Sequence, residues 1–231
     1  MNLHRLIHRN IAFRVESLHE YNSFNEANFD NELTYIQKKY DAAQKEYEEF
    51  KKENPNHNQD DDYMIDYFDD LSYSHTKIQD NIILKHRNSI VFLLYSLIEV
   101  ELRSYAKHNI LKTSVFSIDD LKGNSIFEKF KLFTSKTNPI LYKSISEELI
   151  FLDRVRILRN FITHNSNSIK SDHSDFKKVK EFSENNFELQ KIGIVYNTKI
   201  ETYFIKLNNK DFIEKIFEMF NVLLSKLYLE N

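Results

Sequence analysis

Ile90-Val91-Phe92-Leu93-Leu94-Tyr95-Ser96-Leu97-Ile98-Glu99-Val100-Glu101-Leu102 is the most apolar stretch of the chain, and its reading decides the fold. It is shorter than the ~20 residues that a bilayer span needs, and Ser96, Glu99 and Glu101 interrupt it. It therefore reads as a helix, apolar on nearly every side up to Tyr105, at the centre of a soluble bundle. A carboxylate on such a helix is costly unless it is paired or faces a wet cleft, so Ser96 and Glu99 ask for a partner or a cavity.

The rest of the composition agrees with helices. The 231 residues include only 2 Gly and 2 Pro, too few for the turns of a β-sandwich or for a Gly-rich phosphate loop, while 41% hydrophobic residues are enough for a real core. The absence of Cys removes disulfide frameworks and thiolate metal sites and fits a reducing cytosol. His4, Arg5, His8, Arg9 and Arg14 come before any long apolar run, so no signal peptide and a cytoplasmic location without membrane attachment are expected. With a net charge of −3, contact with nucleic acid must use a local patch and not the global field.

Outward from residues 90–102, the periodicity predicts a helix over 2–21. A stricter heptad seam then runs through Phe29, Leu33, Ile36, Tyr40, Ala43, Tyr47 and Phe50. Asn54-Pro55-Asn56 stops it, and Asp60-Asp61-Asp62 suits the next helix start. A helical region over 63–110, bent near 72–74, follows. Ser117 and Asp120 form a capping-box pattern, and Asn138-Pro139 marks another start. The main downstream helix covers 146–164, and residues 165–175 read as a loop. Residues 176–182 give one or two helical turns, 187–194 and 200–207 a single β-hairpin, and Asn208 or Asn209 caps a last helix. The expected class is thus all-α: an up-and-down helical bundle over 59–231, an N-terminal helical extension over 1–58 that holds the seam, and one small hairpin before the last helix. The sequence has no sharp boundary, so one continuous domain over the whole chain stays open as the alternative.

On the helix over 146–164, Phe151, Val155, Leu158 and Ile162 form an apolar stripe. Arg156, Asn160 and His164 form a second stripe roughly opposite, with Arg159 and Thr163 on its flank. Such a face serves solvent, an anionic ligand or a partner subunit. His4 and His8 have zinc-compatible spacing without an acidic cluster to complete a site, and Asp172-His173-Ser174-Asp175 is a common chance pattern. No metal and no cofactor are expected.

Arg159-Asn160-Phe161-Ile162-Thr163-His164 resembles the HEPN signature, an Arg followed by four to six residues and then His, with a polar residue after the Arg. The resemblance covers roughly residues 85–230 and includes the apolar upstream helix, where some members place an acidic residue, here Glu99. Arg14 with His19 and Arg103 with His108 repeat the spacing, but Arg159 alone lies on the second long bundle helix downstream of Ser96 and Glu99. The resemblance implies a helical bundle that homodimerises so that two motifs face one another. It also implies metal-independent RNA cleavage in a toxin or phage-defence setting, under an antitoxin or other regulatory partner. Arg159 and His164 would carry the chemistry with Asn160 and Glu99 in support, while Arg156 and Thr163 would hold RNA. A histidine's ordinary pKa of ~6.5 suits proton transfer at cytosolic pH, and a permanently charged arginine suits phosphoryl oxygens. The two copies of His164 would then serve as base and acid. The alternative is a catalytically inactive HEPN-like protein- or nucleotide-binding module that uses the heptad seam as its contact surface.

Overall fold

A computed structural model describes residues 3–53, 61–113, 117–194 and 199–229. They form a predominantly helical protein with one small antiparallel sheet. The first helix, α1, runs unbroken over Leu3–Glu53 where two helices were expected. No Gly or Pro falls inside it, so nothing interrupts the ladder at 22–24. The Asn54-Pro55-Asn56 stop lies outside the described residues. Next come α2 (Asp61–Thr76), a π-helical segment (Lys77–Ile83) and α3 (Leu84–Thr113). The expected irregularity thus lies at the π segment and not at 72–74.

Two compact units are built from these elements, one from 21–86 and the other from 1–20 with 87–231. A boundary at 58/59 does not match this division, because the start of α1 belongs with the later helices. Ile11 and Val15 are buried there, and Arg14 reaches the buried Glu101 at 4.0 Å.

In the unit over 21–86 the heptad seam is used internally. Phe68 of α2 lies 5.0 Å from the Tyr40 ring and 6.3 Å from Tyr47, and His86 sits 5.3 Å from Phe29. The seam also starts earlier than its apolar residues, since Asn22 and Glu26 are buried in register with Phe29. Asn22 is hydrogen-bonded to His86 at 3.1 Å, so a polar side chain occupies a seam position with a specific partner.

In the other unit, Ile90, Val91, Leu94, Tyr95, Ile98 and Leu102 of α3 are buried, but Phe92, Leu93 and Val100 are exposed, so α3 is central on one face only. A 3-10 turn over Ile118–Asp120 carries the full capping box of Ser117 and Asp120. Then follow α4 (Ile126–Thr137), capped by Ser125, and α5 (Pro139–Ser144), capped by Asn138 with Pro in its first turn. After α6 (Ser146–His164) come β1 (Ser168–Lys170), α7 (Phe176–Ser183), β2 (Glu188–Ile194), β3 (Glu201–Lys206) and α8 (Lys210–Tyr228). The sheet order is β1-β3-β2, all antiparallel, with an irregularity between Lys191 and Gly193. The expected hairpin is β2–β3, and Asn209 caps α8. β1 replaces part of the expected loop: Ser168 pairs with Phe204 and Lys170 with Thr202, and Ile169 between them is buried. Phe127, Phe130, Phe133, Phe212 and Phe220 are almost wholly buried, and burial contributes about 1.5–3 kcal/mol for each such side chain. Among the described residues no helix is long and apolar enough to cross a membrane.

Candidate functional site

The buried face of α6 is Leu149, Leu152, Val155, Leu158 and Phe161, whereas Phe151 and Ile162 are only half-buried. The expected stripe is therefore rotated. Four buried apolar residues lie outside the assumed set, Leu149, Leu152, Ile157 and Phe161, and the polar residues turn with them. Arg159, placed on the flank by the sequence, faces α3. Its guanidinium lies 5.0 Å from the Phe92 ring centroid and 5.1 Å from that of Tyr95, a cation over two aromatic rings of one helix. Nη1 of Arg159 donates to Oδ1 of Asn160 at 3.2 Å, while its Nε is buried without a hydrogen-bond partner.

Arg159 lines a cavity of about 420 Å³ with Tyr95, Glu99, Arg156 and Asn160. Arg103, Lys129 and the 123–125 segment that leads into α4 complete it. The Tyr95 hydroxyl donates to Oε1 of Glu99 at 2.8 Å. Burial, aided by the Glu99 carboxylate, pushes the Tyr95 phenol well above its ordinary value, so it stays a donor. Glu99 thus has both the partner and the wet cleft that its place on α3 demands. Ser96, by contrast, turns its hydroxyl to the Phe92 carbonyl of its own helix at 2.9 Å. Arg156 is half-buried and tied to Asp153 at 2.7 Å. Arg103 pairs with Asp119 at 3.0 Å, and Lys129 donates to the Asp119 backbone oxygen at 3.2 Å.

His164 is not in this cavity. It is the exposed last residue of α6 and lines a second cavity of about 320 Å³ with Asn160, Asn165, His173 and Asp175 among its neighbours. Five positions on an α-helix turn the chain by about 140° net, so Arg159 and His164 of one chain point to different sides. The end of α6 is fixed firmly. Ser166 and Asn167 take left-handed backbone conformations with φ of 50° and 62°, and Asn167 N–H returns to the Phe161 carbonyl at 3.2 Å. Asn167 is also bonded to β3, where its carbonyl accepts from Ile205 N–H at 2.7 Å. Among the described residues Thr163 lines neither cavity, and its hydroxyl donates to the Arg159 carbonyl at 2.9 Å. In the second cavity Nδ1 of His173 accepts from the Asp175 backbone N–H at 3.1 Å. The His4 side chain lies outside the described residues.

The structure thus brings Glu99, Arg156, Arg159 and Asn160 together, joins His164 to Asn160 alone, and leaves Thr163 apart. Sequence reasoning missed Arg103, Lys129 and the 123–125 segment. The signal for Arg103 was present, since Tyr95, Glu99 and Arg103 follow one another at four-residue steps on α3. Lys129 and the loop join only through tertiary packing. The two other arginines with the motif spacing have plain roles or neighbours: Arg14 reaches Glu101, and Arg103 shares the Arg159 cavity. Comparison of the chain with protein-family models, with curated proteins and with solved structures found no match.

Proposed function

We propose that the chain is a metal-independent endoribonuclease of HEPN type, working in the cytosol as a homodimer, in which Arg159 of one copy and His164 of the other complete each site. The observation that carries this reading is Asn160, which holds Arg159 by a 3.2 Å hydrogen bond and also lines the His164 cavity. In the reaction a ribose 2′-hydroxyl attacks the adjacent phosphorus and His164 takes its proton. Arg159 neutralises the phosphoryl oxygens as the bond to the 5′ oxygen breaks; because each such site holds a single His164, that oxygen takes its proton from water and not from a second His164. The products are a 2′,3′-cyclic phosphate and a 5′-hydroxyl. Arg156 guides the RNA backbone, and Glu99 orients the cationic cluster. A toxin or phage-defence role, with an antitoxin or trigger controlling cleavage, follows from the same resemblance.

The second reading is a phosphate-binding HEPN-like module without catalysis, and the separation of Arg159 and His164 into two cavities favours it. Incubation of the purified chain with total RNA and tRNA in EDTA separates the two. Cleavage by wild type with 2′,3′-cyclic ends, absent in His164→Ala, supports the nuclease. RNA that is bound but left intact under all triggers tried supports the module.

A further inference from the structure

We infer that the cavity between α3, α4 and α6 holds a terminal phosphate, the monoester at the 5′ end of an RNA or on a free nucleotide, with Arg103 and Lys129 as its discriminating ligands. This rests on the reading of α6 as a phosphate-handling helix but assigns residues outside the signature.

Four cationic side chains from three helices line the cavity, Arg103, Lys129, Arg156 and Arg159, against one lining carboxylate, Glu99. An internal phosphodiester carries one negative charge, which Arg159 alone can meet. A terminal phosphate carries about 1.5 to 2 negative charges near neutral pH and offers three acceptor oxygens, which suits a convergent cluster. The two added cations are organised before any ligand arrives. Asp119 takes Arg103 on its carboxylate at 3.0 Å and Lys129 on its backbone oxygen at 3.2 Å. Its own N–H is fixed by the Ser117 hydroxyl at 3.2 Å, so both cations hang from a capped turn. Gly123 keeps the adjoining segment low against α4: a Cβ there would lie 3.1 Å from Glu128 Cβ and 3.2 Å from Lys129 Cγ. The segment therefore borders the cavity without filling it. Glu99 is already engaged by the Tyr95 hydroxyl, and even with Asp119 and Asp153, which pair Arg103 and Arg156, the four cations outnumber the three carboxylates. The second oxygen of Glu99 remains suited to a ribose hydroxyl.

The test is fluorescence anisotropy on the full chain with a short 2′-O-methyl RNA that cannot be cut, carrying either a 5′-phosphate or a 5′-hydroxyl. The expected result is about tenfold or greater preference for the phosphorylated end. Lys129→Gln and Arg103→Gln should each erase the preference, Lys129→Arg should keep it, and Lys170→Gln on the exposed β1 position should leave it unchanged. Competition by adenosine 5′-monophosphate as strong as by the phosphorylated RNA names the free nucleotide as the source of the phosphate; competition by the RNA alone names its 5′ end. Equal affinity for the two ends, or a preference that survives the Arg103→Gln/Lys129→Gln double variant in folded protein, overturns the inference. Discrimination without cleavage leaves this site standing and sinks the nuclease, whereas cleavage without discrimination does the reverse.

Discussion

Arg159 and His164 stand on one helix yet open onto different cavities, and among the described residues only Asn160 lines both. The separation follows from the helix repeat, which places residues five apart about 140° from one another. A signature of that spacing therefore does not assemble an active site on a single straight helix. It places the two groups in separate cavities, and any site that uses both needs a substrate that reaches across or a second chain.

Charge alone at position 159 should not support function. Its guanidinium lies against Phe92 and Tyr95 and donates to Asn160, contacts that need a planar group with several donors. Arg159→Lys should therefore lower RNA cleavage nearly as far as Arg159→Ala, and Asn160→Ala should lower it by about 10²-fold. Initial rates at equal folded fraction, checked by melting, measure this. A fully active Arg159→Lys enzyme would leave the aromatic seat without a role.

Much of the fold was legible because single-helix rules governed it. The Asn138-Pro139 start, the Ser117 and Asp120 box and the Asn209 cap all rest on side chains bonding to backbone within three residues. The seam's beginning was not legible, because Asn22 and Glu26 break the apolar pattern while keeping its register. β1 was hidden too: Ser168-Ile169-Lys170 is polar at both ends, and only pairing with β3 makes it a strand. In the site, Glu99 and Arg159 could be read from helical position. The split between Arg159 and His164 could have been read from the same geometry, had the buried face of α6 been placed on Leu149, Leu152 and Phe161.

Glu148 is buried on α6 and bound by Lys226 of α8 at 2.7 Å, while its second oxygen has no partner. Removing the cation leaves an uncompensated buried carboxylate, so Lys226→Met should cost about 3–5 kcal/mol by denaturant unfolding. Replacing both residues with Leu should cost far less, because the carboxylate then leaves with its partner. A Lys226→Met variant as stable as the double variant would show that the pair is solvated in solution.

Glu101 supplies a pH dependence with a definite sign. Burial pushes its carboxyl above the ordinary value of 4.5, against the pull of Arg14 and His108. The folded state thus holds this proton more tightly than the unfolded chain, so stability is lost as pH rises from 4.5 to the raised value, and the full cost of the ionised form is present above it. Glu101→Gln should therefore stabilise the protein at pH 7. The gain should shrink as pH falls from the raised value through 4.5, where the wild-type group is itself neutral. Melting curves of the two proteins across this range check it, and a gain that persists unchanged in acid would assign the effect to packing.

The joined half-sites can be tested by mixing inactive chains. If each site takes Arg159 from one copy and His164 from the other, an Arg159→Ala chain paired with a His164→Ala chain has one site lacking both groups and one with both intact. Random pairing makes half of the dimers mixed, and half of the sites in those dimers are whole, so about a quarter of wild-type activity should return. Each variant alone should stay inactive at every concentration. The recovered activity should fall on dilution below the dimer dissociation constant, which light scattering measures independently. No recovery in mixtures whose subunit exchange is demonstrated by labelled chains would mean that Arg159 and His164 act within one copy or not at all. The separate cavities on α6 would then favour the phosphate-binding reading.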